Sequence, residues 1–246
     1  MTLSARGSTV LALAGLAVAW EIVGRLSISF FVPPLSAVGG TWRRLVLDGT
    51  IPWAVATSML ELARGFVLAA TLGVVLGVLM GASKVVRDAL GPFVNVGMSA
   101  PLSALVPVFI AIFGMRPTVV AATVFMFSFF VIVVNTATGV RGTEASLIEM
   151  ARSFGARPAV VLWTIYLPRA LPATMLGLRL GAVQAVKGMV VGEMLISVVG
   201  LGERLIYYGN SFLIPQLYAV ILSVLFLALM SAQLIDVLDR SLIRWK

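Results

Sequence analysis

The chain has 246 residues, of which 60% are hydrophobic and 11% charged, with a mean hydropathy of +1.07; soluble domains carry about 25% charged residues, so a soluble fold is excluded. The net charge of +8 is spread as single bases among apolar segments, which is the pattern of membrane loops and not of a nucleic-acid surface. With no Cys and no His, disulfides, thiolate or histidine metal sites and histidine-based acid–base chemistry are excluded, and no metal site is expected.

About 20 apolar residues cross a bilayer as a helix, and on that measure six spans are drawn at 9–30, 62–82, 91–114, 118–138, 173–196 and 214–237. The expectation is one all-α, polytopic membrane domain over 1–246 without a soluble module. In the first span, Ala17-Val18-Ala19 has the small-x-small form of a signal-peptide cleavage site. The apolar run resumes after Glu21 and continues through Ile28 to Val32, which suits a retained span instead. Between the first two spans, Pro33-Pro34, Gly39-Gly40 and Trp42-Arg43-Arg44-Leu45 read as a turn followed by a short amphipathic helix at the interface.

The second span carries small residues every fourth position, Gly65, Ala69, Gly73, Gly77 and Gly81. Such a stripe lets a helix approach closely, either within the chain or against a second copy. In the third span, Pro101 and Pro107 free backbone carbonyls, and Asn95, Ser99 and Ser103 give it a polar face. That face reads as the lining of a solute path or as a packing kink whose serines bond their own carbonyls. The fourth span's Met126, Phe127, Phe129 and Phe130 read as lipid or helix contacts.

The fifth span holds Arg179, Gln184, Lys187 and Glu193, and ionisable groups at bilayer depth cost at least about 2.5 kcal/mol unless paired or wetted. Arg179 is near the inner end and reads as a snorkelling base. Lys187 is deeper: it either meets an anionic substrate or pairs with Glu193 or with Glu61 of the second span. Orientation follows from the bases near span ends. Arg6, Lys84, Arg87, Arg141, Arg152, Arg157, Arg169, Arg240, Arg244 and Lys246 fall inside with both termini cytoplasmic, against Arg25, Arg43, Arg44, Arg116 and Arg204 outside. The Arg43-Arg44 pair is the main exception to the bias.

The one long polar stretch, the loop 139–172, lies between the fourth and fifth spans. Leu147, Ile148, Ala151 and Phe154 recur at helical spacing, with Glu149, Arg152 and Ser153 on the opposite face. Gly155 closes this short helix, and Pro158 opens a second one over 159–166 that Pro168 and Pro172 stop.

Glu149-Met150-Ala151, Gly155 and Ile165-x-Leu167-Pro168 resemble the EAA loop, E-A-A-x3-G-x9-I-x-L-P, of binding-protein-dependent ABC importer permeases. Every spacing agrees, and Met150 replaces the first alanine. Phe31-Val32-Pro33-Pro34, the Pro101, Ala104, Leu105 and Pro107 core, Gly177-Leu178-Arg179-Leu180, Val191-Gly192-Glu193-Met194 and Gly200-Leu201-Gly202 are similar to the nitrate/sulfonate/taurine-type permeases. Glu61 departs from the basic residue common in that neighbourhood, with Arg64 one turn on as a substitute.

The resemblance implies a type I ABC importer permease in a bacterial cytoplasmic membrane. Two permease copies, here expected to be identical, form the path, two ATPase subunits dock below, and an extracytoplasmic solute-binding protein delivers the ligand. It places Glu149, Met150, Ala151, Arg152, Phe154 and Gly155 in a groove of the ATPase, with Ile165, Leu167 and Pro168 returning the chain to the fifth span. The chain itself has no G-x-x-x-x-G-K-[ST] phosphate loop, so it binds no cofactor of its own, and ATP and Mg belong to the partner. It is expected to be non-catalytic, with Asn95, Ser99, Ser103, Gln184, Lys187 and Glu193 along a path for a small anion.

Two other classes compete. An ion-coupled transporter or channel would use Lys187 and Glu193 directly, but it leaves the polar loop without a task. An intramembrane enzyme needs catalytic groups that are scarce here: Asp236 and Asp239 stand at i, i+3, at the inner edge, as a solvated or ion-paired face.

Overall fold

The computed structural model describes residues 5–27 and 29–242. Ile28, Arg244 and Lys246 lie outside them, as do the side chains of Arg6, Asp236, Asp239 and Arg240. Among the described residues the fold is helical without strands. In chain order come α1 (Ala5–Arg25), α2 (Leu35–Leu47), α3 (Thr50–Ala82), α4 (Lys84–Ser99), a 3-10 turn (Leu102–Leu105) and α5 (Val106–Phe113). They are followed by α6 (Pro117–Arg141), α7 (Ala145–Ser153), α8 (Pro158–Val161), a π turn (Leu162–Tyr166), α9 (Leu167–Ile196), α10 (Gly200–Asn210) and α11 (Ile214–Leu242).

Among the described residues, four runs are long and apolar enough to cross a membrane: Thr50–Ala82, Pro117–Arg141, Pro158–Ile196 and Ile214–Ile235. The bent pair α4 and α5 makes a fifth if taken as one span. The 21 residues of α1 expose Leu11, Leu13, Leu16, Val18 and Ile22.

Three boundaries differ from the sequence expectation. The second span was drawn from residue 62, yet α3 begins at Thr50 and runs 33 residues, about 50 Å at 1.5 Å per residue. Glu61 does not interrupt it, because Arg64 Nη1 stands 2.6 Å from its Oε1 one turn on, while Pro52 sits in the first turn where no intrahelical donor is lost. The third span, drawn as one helix over 91–114, is two helices bent by 98°. Ala100 precedes Pro101 and is extended (φ −69°, ψ 143°), as the clash with a following proline ring demands. Pro107 falls in the first turn of α5, where it is tolerated.

The third difference is in the return leg of the loop. Pro168 and Pro172 do not stop the helix begun at Pro158: Leu167 N–H reaches back to Leu162 O, and the widened π turn lets the chain run on to Ile196. A π turn absorbs one extra residue directly ahead of Pro168, so the helix continues past the position where the proline lacks a donor.

The arrangement is centred on α6, with α3 on one flank and α9 on the other. The small-residue stripe of α3 is spent within the chain. A β-carbon on Gly65 would strike Ala121 O and Val124, on Gly73 it would meet Ile132 and Phe129 O, and on Gly81 it would strike Val140. Ala69 is fully buried on the same face. A second stripe on α9 meets the opposite side of α6: Gly177 against Asn135, Gly181 against Ile132, Gly188 against Phe127 and Gly192 against Val120. The stripe on α3 is therefore not the face of a homodimer. The helix α11 packs on α9, α2 and α10, and Trp42 Nε1 on α2 donates to Ser223 Oγ of α11 at 3.0 Å.

A β-carbon at Gly77 would sit 2.6 Å from Thr136 Cβ and 2.8 Å from Val133 O. Overpacking of this kind costs about 1–3 kcal/mol, against a helix-propensity gain of at most about 1 kcal/mol. Gly77→Ala is expected to lower the melting temperature of the detergent-solubilised protein. Gly39→Ala on α2, where nothing stands within 4 Å, should not lower it.

Candidate functional site

The polar loop is built as a short rigid helix on a hairpin. None of the nine residues of α7 is buried, although Leu147, Ile148 and Ala151 are half-buried on its inner side. Its end is a Schellman closure: Ala156 N–H donates to Ala151 O at 3.0 Å and Gly155 N–H to Arg152 O at 2.9 Å. Gly155 takes φ +77° there, the left-handed conformation in which a β-carbon costs roughly 1–2 kcal/mol. Arg157 is extended and Pro158 opens α8.

Phe154 departs from its expected place. Rather than joining Leu147, Ile148 and Ala151 on the inner face, it is 85% exposed, because it follows the last helical residue and turns outward ahead of Gly155. Met150 at 53% and Trp163 at 69% are exposed with it. Glu149 and Arg152 are exposed and form no ion pair among the described residues. The loop thus presents charged, aromatic and thioether groups on one small projecting element.

The return leg is anchored. Leu162, Tyr166 and Leu167 pack against Val78, Val140 and Ala170, fixing the leg to the ends of α3 and α6, while Ile165 and Pro168 are half-buried. A cavity of about 360 Å³ lies between the end of α3 (Val78, Ala82, Ser83) and the loop (Arg152, Pro158, Tyr166).

The six residues expected along a path do not share one environment. Asn95, Ser99 and Ser103 are exposed, Gln184 is half-buried and Lys187 is exposed. The 3-10 turn that bears Ser103 touches α9, the helix of Gln184 and Lys187. Asn95 and Ser99 line one groove of about 400 Å³.

Glu193 is different: it has no exposed surface. Its Oε2 accepts from Gly202 N–H at 2.8 Å, and Ser58 Oγ of α3 accepts from Leu201 N–H at 3.0 Å. Two groups from other helices thus satisfy donors of the first turn of α10 that the helix cannot satisfy itself. The structural pairing expected for Lys187 is also not found. Glu61 is held by Arg64, Glu193 is occupied at α10, and Lys187 forms no ion pair among the described residues.

Sequence reasoning missed Ser58 and the helix α10. The signal present was Val199-Gly200-Leu201-Gly202, where Gly200 adopts φ +85° and leaves no room for a β-carbon beside Glu193. Ser58→Ala and Glu193→Ala each leave a buried N–H of α10 unpaired, at about 1–3 kcal/mol, and Glu193→Ala should cost more because it also empties the space of a larger, fully buried side chain. The expected readout is a lower melting temperature with faster proteolysis in the segment 197–213.

A family model described as "binding-protein-dependent transport system inner membrane component" matches residues 69–244. Among curated relatives, a permease protein of Bacillus subtilis named for aliphatic sulfonates transport is 28% identical over 92% of this chain and 83% of its own length. A formylaminopyrimidine transport permease protein of Halalkalibacterium halodurans is 28% identical over 94% and 92%. A nitrate import permease protein of Synechocystis is 27% identical over 87% and 80%.

Proposed function

This chain belongs to the family of binding-protein-dependent transport system inner membrane components, multi-pass permease subunits of ABC importers, and from that premise we propose how its parts work. Two copies enclose the path, two ATPase subunits bearing ATP and Mg dock on α7 from the cytoplasm, and a solute-binding protein delivers substrate from outside. In this reading α1 is the sixth span and both termini are cytoplasmic. The observation that carries it is α7 itself, a nine-residue helix with none of its residues buried, which exposes Glu149 and Arg152 and is followed by the exposed Phe154, with Glu149 and Gly155 at the spacing of the EAA motif.

The mechanism follows from continuity. A force on α7 reaches α8 through the Gly155 closure, and α8 runs into α9 through the π turn without a break. Closure of the ATPases therefore displaces α9 as a rod, and α9 carries Gln184 and Lys187 on its open flank. A short element moved as a unit biases two global states of the membrane domain. The chain supplies no catalytic group to ATP hydrolysis.

For the substrate, an exposed lysine in a span supports a small anion, and relatives named for aliphatic sulfonates and nitrate support sulfonate or nitrate chemistry over the formylaminopyrimidine of the third. Lys187→Met is expected to reduce uptake of such an anion in reconstituted vesicles at least tenfold, the worth of a charge-assisted hydrogen bond. Unchanged uptake and substrate dependence would reject that role.

Gly155→Pro and Glu149→Lys should abolish uptake and substrate-stimulated ATP hydrolysis while the protein still accumulates in the membrane. Full activity in both variants would reject the docking role. Because the chain has no cysteine, Arg157→Cys gives a single thiol. It should react with a membrane-impermeant maleimide in inside-out vesicles and not in intact spheroplasts.

A further inference from the structure

On α4, Arg87, Gly91, Asn95 and Ser99 recur every fourth residue, which places them in one row along the helix. The upper part of the row, Asn95 and Ser99, lines the groove already described. Its lower part opens on a second cavity of about 480 Å³, lined by Arg87, Asp88, Gly91 and Asn95 of α4 and by Ala137 and Arg141 of α6. Asn95 lines both, so its side chain borders the two spaces in common. Gly91 has nothing within 4 Å of the place a β-carbon would take and leaves the row open between Arg87 and Asn95.

Two guanidinium groups from different helices face this cavity against one carboxylate. Asp88 is a weak partner, 3.9 Å from Arg87 Nε and itself 61% exposed, whereas the Arg87 side chain is one-third exposed. The guanidinium of Arg141 is steered by a 3.3 Å bond from Nη2 to Thr138 Oγ1, one turn back on α6. The general excess of bases at inner span ends accounts for isolated, solvated side chains such as Lys84. It does not account for two guanidinium groups on different helices lining one cavity at the end of a row of neutral donors. Like charges there are relieved by an anion that accepts from both, and a planar fork suits the oxygens of a sulfonate, nitrate or carboxylate.

We propose that Arg87, Arg141 and Asn95 form an anion-binding site at the cytoplasmic mouth of the path, which receives the substrate's oxyanion group from Asn95 and Ser99 before release. This rests on the importer reading and adds to it the residues that meet the substrate's oxyanion group before release. The Asn95 amide donates first, the guanidinium groups then take over the charge, and the partial neutralisation by Asp88 keeps the site weak enough to let go.

The test uses the full-length permease purified in neutral detergent, titrated calorimetrically with methanesulfonate and with nitrate, acetamide serving as the uncharged control. Saturable binding of one or both anions and none of acetamide is expected, with Kd raised about tenfold or more in Arg87→Gln and in Arg141→Gln. Arg87→Lys and Arg141→Lys, checked for an unchanged melting temperature, should recover part of the affinity. The Gly155→Pro variant should bind as the unaltered protein does, since its defect is in coupling. Absence of anion binding to the unaltered protein, equal affinity in the Gln variants, or a response only to phosphatidylglycerol in nanodiscs would overturn the site. None of these outcomes touches the importer reading, which falls instead if Gly155→Pro and Glu149→Lys transport at full rate.

Discussion

The fold depends on how closely α3 and α9 approach the two sides of α6. Ile132 shows the constraint in one residue: it is fully buried, with Gly73 of α3 against its Cγ2 and Gly181 of α9 against its Cγ1. In lipid no hydrophobic drive holds helices together, because the tails are as apolar as leucine. Association then rests on dispersion and on backbones close enough to gain it. Glycines spaced by one or two turns on both α3 and α9 supply that approach, so α3, α6 and α9 behave as one packed unit and the remaining helices arrange around it.

The two ends of α9 are then held in different ways. At its N-terminal end the helix is the direct extension of the loop, through the π turn at Leu162–Tyr166, and Leu162, Tyr166 and Leu167 are packed on the ends of α3 and α6. At the other end Glu193 reaches across to the first turn of α10, while Ser58 of α3 holds the adjacent N–H. Both ends of α9 are thus tied, one to the loop through the π turn and the other to α10 through the Glu193 bond. Breaking a buried bond of this kind leaves an unpaired group in a low-dielectric interior, and that makes the linkage stiff.

The ionisable groups illustrate why helix spacing alone does not assign roles. Glu61, Lys187 and Glu193 all stand in apolar spans, and the sequence offers either carboxylate as a partner for Lys187. The fold separates them: Glu61 closes on Arg64 one turn away, Glu193 turns to α10, and Lys187 is left on the open flank of α9. Spacing gives the face of a helix on which a residue stands, but the neighbour opposite that face is set by the packing of other helices. The same limit hid the site lined by Arg87 and Arg141, two bases that read in sequence only as inner-side charges.

Composition and hydropathy by themselves determined a helical, multi-pass membrane protein, because lipid admits only backbones that satisfy their own hydrogen bonds within a segment. Local chemistry also determined the shape of the loop: α7 over helical spacing, the left-handed Gly155, and Pro158 at the start of α8, each set by residues within a few positions. Only the tertiary structure decided that the stripe on α3 serves α6, that the third span divides at a 98° bend, that Pro168 is bridged by a π turn, and that Glu193 is a cap. For the stripe and for Glu193 the deciding contact lies on another helix, whereas at Pro101 and Pro168 the prolines mark where the backbone must adjust and only the tertiary structure fixes whether it bends or carries on.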